Sequence, residues 1–141
     1  MPTKTDPAHV ASDLRVVLGQ LIRRLRTEDR FPLSQASVLG RLDRCGPQSV
    51  SDLAAAERVR PQSMAQTVAD LETDGFVTRR PDPDDRRRAL VELTDEGLTR
   101  LEADRAARDG WLARAIADKL SPADRETLET AVELLRHLAE S

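Results

Sequence analysis

The stretch "SVSDLAAAERVRPQSMAQTVADLETDGF", Ser49 to Phe76, reads as two short helices separated by the break "RVR". Ser49 with Asp52 three residues later has the form of a capping box and opens the helix "VSDLAAAE". After the break, Pro61 suits a first helical position, and Met64, Ala65, Val68 and Leu71 recur at helical spacing until "TDGF" stops the pattern. If that stripe faces a core, Gln62, Ser63, Gln66 and Thr67 fall on the other side. Two helices joined by so tight a turn match a helix-turn-helix, whose second helix presents its N-terminal residues to base edges in the major groove. The exposed types suit that task. Glutamine can pair bidentately with adenine, serine bonds to either kind of partner, and a threonine methyl can meet a thymine methyl.

The next segment, "RRPDPDDRRRALVELT" from Arg79 to Thr94, mixes arginines and aspartates before turning apolar. "FVTRR" and "ALVELT" are β-prone pieces joined by "PDPDDRR", a hairpin with a loop longer than a two-residue turn. A hairpin directly after a recognition helix is a wing. Its tip reaches sideways to the backbone or the adjacent minor groove, where a narrow A·T-rich stretch attracts arginine. Arg86 and Arg87 are the probes, Asp85 pairs with one of them to hold its direction, and Arg80 on the leading strand joins the basic set. Adjacent strand residues point to opposite faces, so one of Arg86 and Arg87 enters the groove while the other lies along a phosphate. The bland alternative is a solvated hairpin tip whose aspartates simply balance its arginines.

Helices flank this centre. From Ser12, Leu14, Val17, Leu18, Leu21, Ile22 and Leu25 form an amphipathic stripe, and "RTEDRFPLS" breaks it. Ser34 can cap a second helix carrying Ala36, Val38, Leu39 and Leu42 as far as "CGP". Thr94 can cap a fifth helix from Asp95 to about Leu120, with Gly110 as a soft point. "SPAD" then supplies a cap, a first-position proline and an acid ahead of Leu128, Val132, Leu135 and Leu138. The stripes Leu14, Leu18, Leu21, Ile22 and Leu128, Val132, Leu135, Leu138 could pack within one chain. A compact winged helix needs little from two long end helices, so a partner chain is the favoured cover.

Composition removes other classes. A chain of 141 residues, 39% apolar, fits one domain or a small two-part fold. No run is long enough to cross a membrane, and the polar start "MPTKTDPAHVASDL" lacks the core of a signal peptide, so the cytoplasm is expected. Cys45 stands alone, which excludes an internal disulfide; with only His9 and His137 beside it, ligands for a zinc site are lacking, and no cofactor is expected. Cys45 reads as an inert, part-buried thiol, Trp111 as a core or interface anchor and His137 as a packing or capping residue. The net charge of −3 gives no global pull toward nucleic acid, so such a site must be a local patch. No Gly-rich phosphate loop, metal-ligand cluster or nucleophile with a matching histidine appears, so an enzyme is not expected.

The run "LSQASVLGRL … GPQSVSDLAAAERVRPQSMAQTVADLETDGFVTRRPDPDDRRRALVELTDEG" resembles the MarR family of bacterial transcription regulators. The "SDLA" helix start, the "LE-x-x-GFV-x-R" exit, the "P-x-DDRR" wing and the "LT-x-x-G" restart stand together over Leu33–Gly97. The resemblance implies a mainly α (α+β) winged helix-turn-helix with long N- and C-terminal dimerisation helices. It implies an obligate homodimer on double-stranded promoter DNA, often with a small-molecule pocket, and a bacterial, nucleoid-associated protein acting as a repressor. The family's Asp-x-Arg wing motif falls on Asp85 and Arg87, implying that Arg87 enters the minor groove and Asp85 orients it. One departure is Arg60, where the family commonly has Ser or Thr; it could reach a phosphate, but the cap is lost. The expected organisation is a flexible tail over 1–11, a dimerisation region over 12–30 and 98–141, and a DNA-binding domain over 31–97. Any effector is expected to be small and apolar or aromatic. A winged-helix protein-interaction module without DNA readout is the competing reading; it predicts apolar residues where the sequence places Gln62, Ser63, Gln66 and Thr67.

Overall fold

The structure, a computed structural model, describes residues 5–26 and 31–141. Its elements run α1 (Pro7–Arg26), α2 (Leu33–Cys45), α3 (Val50–Glu57), α4 (Pro61–Thr73), β1 (Val77–Pro81), β2 (Ala89–Leu93), α5 (Asp95–Lys119) and α6 (Pro122–Ala139). This is the expected winged helix-turn-helix with flanking helices. Residues 1–4 of the expected tail and 27–30 of the expected break lie outside the described residues.

Several local expectations need correction. α1 begins at Pro7 rather than near Ser12, so residues 7–11 continue the helix instead of forming a tail; a proline is well suited to a first helical position because its missing N–H would be unpaired there anyway. Ser34 does not cap α2: the helix begins one residue before it, and Pro32 occupies the cap position with no side-chain bond. Ala65 is exposed, and only Met64, Val68 and Leu71 form the buried stripe of α4. Cys45, expected to be part-buried, is exposed at the last residue of α2.

The chain divides into two compact units after Arg105. In the first, Val38, Leu39 and Leu42 of α2 meet Leu53 of α3, Val68 and Leu71 of α4, and Val77 and Val91 of the hairpin in one core. Burial of each such aliphatic side chain contributes about 1.5–3 kcal/mol. Ser37 Oγ donates to Glu57 Oε2 at 2.7 Å and Arg41 Nε to Glu57 Oε1 at 3.1 Å, which ties α2 to the end of α3. Phe31 and Phe76 meet edge to face with centroids 5.2 Å apart. The Phe31 amide donates to the buried Asp104 carboxylate at 3.2 Å, and Arg105 pairs with Asp43 at 2.9 Å, which fastens α5 against the start and the outer face of α2.

Both helices of the helix-turn-helix end in the same way. After α3, the Val59 N–H reaches Ala54 C=O at 3.0 Å and the Arg58 N–H reaches Ala55 C=O at 3.3 Å. After α4, the Phe76 N–H reaches Leu71 C=O at 2.9 Å and the Gly75 N–H reaches Glu72 C=O at 3.0 Å. These are Schellman motifs, which need a left-handed residue just past the helix. Gly75, at φ 82°, takes that conformation without cost, whereas Arg58 takes it at φ 56° with a side chain.

The hairpin pairs Val77 with Leu93, Arg79 with Val91 and Pro81 with Ala89. Thr94 then closes it onto α5. Its hydroxyl donates to Gly75 C=O at 2.7 Å and accepts from the Gly97 N–H at 3.0 Å. Gly97 allows the contact, because a Cβ there would stand 2.1 Å from Phe76 O. In the second unit, Ser121 and Asp124 form a complete capping box at the start of α6, and Arg125 donates to Ala117 C=O at 3.1 Å.

Two stability changes are expected. Gly97→Ala should cost about 1–3 kcal/mol through the backbone clash, despite alanine's better helix propensity; an unchanged urea midpoint would contradict the close approach. Arg58→Gly should raise stability by up to ~1 kcal/mol by relieving the left-handed strain, seen as a higher midpoint at constant slope.

Candidate nucleic-acid interface

α4 sits with its buried stripe on the core and its opposite side open. Gln62 and Gln66 lie one turn apart opposite that stripe, with Ser63 and Ala65 exposed on either flank. Gln62 has no hydrogen bond of its own among the described residues, so its amide is free for a base. Gln66 Nε2 donates to Asp70 Oδ1 at 2.9 Å and would have to leave that carboxylate to pair with a base. Thr67 is half-buried, and its hydroxyl donates to Ser63 C=O at 3.1 Å. That turns Thr67 toward α2, away from the two glutamines. Arg60 precedes α4 without a side-chain cap, and its exposed guanidinium has no partner among the described residues.

The aspartates of the wing build its loop. Asp82 Oδ1 accepts from the Asp84 N–H at 2.9 Å, the Asp82 N–H donates to Arg88 C=O at 3.0 Å, and the Arg88 N–H donates to Asp85 C=O at 3.0 Å. Such side-chain-to-backbone bonds are what make aspartate a turn residue. Asp85 goes further. Its Oδ1 accepts both the Arg87 N–H at 3.0 Å and Arg87 Nε at 3.3 Å, so one oxygen fixes the residue's backbone and side chain together. The pair occupies Nε only and leaves both terminal nitrogens of Arg87 unbonded among the described residues. The Arg87 side chain is 91% exposed, against 35% for Asp85.

The arginines otherwise divide by partner. Arg79 pairs with Glu72 at 3.4 Å and Arg80 with Glu92 at 3.0 Å. Arg80 is therefore charge-matched on the strand, unlike Arg86, which has no carboxylate partner among the described residues. Arg79, Arg80, Arg86, Arg87 and Arg88 together wall a shallow open hollow of about 330 Å³. Arg88, which sequence reasoning passed over, reaches away from the tip: its Nη2 donates to Ser49 Oγ and to Asp52 Oδ2, both at 2.7 Å. Asp52 is thereby diverted from the capping box expected of it, although Ser49 still accepts the Asp52 N–H at 3.1 Å. The hairpin is also bonded through its backbone to the segment just before α3. The Val91 N–H donates to Gln48 C=O at 2.7 Å and the Gln48 N–H to Val91 C=O at 3.0 Å.

A second concavity, of about 280 Å³, opens between the start of α2 and the α3–α4 turn. Leu33, Val59 and Met64 give it apolar walls, Ser34, Ser37, Ser63 and Thr67 give hydroxyls, and Glu57, held by Ser37 and Arg41, gives the one carboxyl group of its lining.

The residues expected to meet a partner chain divide between α1 and α6. Leu18, Leu21 and Ile22 on α1 and Leu128, Val132 and Leu138 on α6 are exposed, with Leu14 and Leu135 half-buried. Val10 and Leu134, the latter 64% exposed, enlarge these faces and were passed over in the sequence. Among the described residues no helix is long and apolar enough to cross a membrane, and no cluster of His, Cys, Asp and Glu could hold a metal.

Comparison with known proteins agrees with this architecture. The MarR family model matches residues 31–89, which span α2, α3, α4, β1 and the wing loop as far as the first residue of β2. An uncharacterised HTH-type transcriptional regulator of Mycobacterium bovis is 38% identical over 136 residues, 94% of each chain. The crystal structure of a putative transcriptional regulator of Pseudomonas aeruginosa is 40% identical, covers 99% of both chains and superposes with a TM-score of 0.84. BpsR of Bordetella bronchiseptica, whose DNA binding is regulated by 6-hydroxynicotinic acid, shares the fold at 20% identity and TM-score 0.70 over 100% of this chain and 98% of its own. With its recognition helix, its Asp85–Arg87 wing and relatives matched over nearly their whole length, the chain belongs to the MarR family of DNA-binding transcription regulators.

Proposed function

We propose that the protein is a homodimeric, ligand-responsive repressor that binds an inverted-repeat operator in double-stranded DNA. The observation that carries this reading is the pairing of a polar, outward-facing α4 with an exposed arginine that Asp85 aims from the wing tip. Gln62, Ser63 and Gln66 read base edges, and Ala65 adds a methyl for a thymine. Thr67 contributes from the flank. Arg87 enters the minor groove, while Arg60, Arg80 and Arg86 meet phosphates. A protein-interaction module would instead want apolar residues at 62, 63 and 66.

Arg87→Ala should weaken specific and non-specific binding alike and lower the slope of log K against log salt by about 0.9, the value for one cation fewer held in the field of the duplex. Gln62→Ala should cost roughly 1–3 kcal/mol on the operator and relax preference at one position, with the slope unchanged. Gln66→Ala should cost less, because the wild-type amide must first leave Asp70. Titration of labelled operator across a salt series measures all of these. An idle wing would show as an unaltered slope for Arg87→Ala.

The segment 31–97 serves DNA, and the helices before and after it serve assembly. The exposed apolar faces of α1 and α6 support a two-fold partner, since faces of this kind are rarely left in water. A two-fold pair of recognition helices places half-sites about 10 bp apart or a multiple of that. Leu21→Asp or Leu135→Asp should give monomer or insoluble protein; sedimentation of the wild type as a monomer at micromolar concentration would count against the dimer. For the effector, the concavity beside α4 supports a small apolar or aromatic body against Leu33, Val59 and Met64. A ligand there releases DNA only by binding the released state better. A panel of neutral and acidic aromatic compounds that left operator affinity unchanged would replace this with constitutive repression.

A further inference from the structure

We infer that Arg88 is a positioning residue for DNA recognition: its guanidinium fixes the wing to the first turn of α3 and so sets the offset between the groove that Arg87 enters and the bases that α4 reads. This rests on the DNA-binding reading above. Arg88 is the last residue of the wing loop, next to the residue that aims outward, yet it turns back to Ser49 Oγ and Asp52 Oδ2 at 2.7 Å each. Ser49 is the buried cap of α3, so this anchor is itself immobile.

A cation beside a helix N-terminus is opposed by the helix dipole. Arg88 is stable there because Asp52 supplies the opposite charge, and the two therefore act as a unit. Three residues on, the Val91–Gln48 bonds hold the same hairpin to the residue before the cap. Strand geometry puts those two attachments roughly 10 Å apart. The base of the hairpin is held by the buried Val77 and Val91 and by Thr94 on Gly75, and Arg88 adds a hold beyond Val91, on the side of the tip. Arg88 is also the less exposed of the adjacent arginines, at 43% against 91% for Arg87, and its Nη2 is already committed to protein oxygens.

The test uses the full-length protein and an operator selected from random DNA, in its original form and with the flanking A·T-rich stretch moved by one base pair. For wild type the move should weaken binding clearly. Arg88→Ala should bind the original about three- to tenfold more weakly, the size expected for lost preorganisation, with an unchanged salt slope and a reduced penalty for the move. Asp52→Asn, which keeps the Ser49 cap, should do the same, and the double variant should be no worse than the worse single one. The change is at an exposed ion pair, so thermal midpoints should stay close to wild type. A slope lowered by about one unit would make Arg88 a phosphate contact, and a retained penalty or additive singles would make the clamp irrelevant; either overturns the inference. Wild type binding no DNA with salt dependence would instead remove the reading beneath it.

Discussion

The pair of backbone hydrogen bonds between Gln48 and Val91 is the constraint on which the interface depends. A two-stranded hairpin alone in water is marginally stable at best. Here β2 finds a second backbone partner besides β1, the residue that precedes the Ser49 cap, and Val91 becomes fully buried in the core of the helix-turn-helix. The wing is thus part of the body that carries the recognition helix. From that follows the use of its tip: an arginine on a swinging loop would lose conformational freedom on every docking, while one on a fixed hairpin loses less.

The same economy of atoms recurs around the bridge. Thr94 closes the far end of the hairpin on Gly75 and caps α5 by accepting the N–H of Gly97, a position where any side chain would strike Phe76. Asp85 uses one oxygen to shape the loop and aim Arg87. The aspartates of the wing segment hold backbone and its arginines are sorted, some matched by carboxylates on the protein and others directed outward.

Much of this was legible in the sequence because it is local. Pro61, "TDGF" and Thr94 announce their turns by short-range chemistry, and Asp85 with Arg87 lies two residues apart. Burial of Met64, Val68 and Leu71 followed from helical periodicity. Ala65 did not, because alanine is apolar enough to join a stripe and small enough to stay outside it. Arg88 was not legible either. Its partners, Ser49 and Asp52, are 39 and 36 residues away, and only the folded register brings them together. Asp52 was read as half of a capping box for the same reason: local pattern cannot show that a distant cation will claim the carboxylate. α1 was entered too late in the sequence because its apolar stripe strengthens at Leu14, whereas Pro7 starts the turn.

Chemical footprinting of the operator tests most directly whether recognition helix and wing act as one rigid reader. The account predicts protection of base edges in the major groove at each half-site, with minor-groove protection of an adjacent A·T-rich stretch at a fixed offset, repeated with two-fold symmetry. Protection confined to the major groove, or minor-groove protection whose offset varies from one bound site to another, would contradict it.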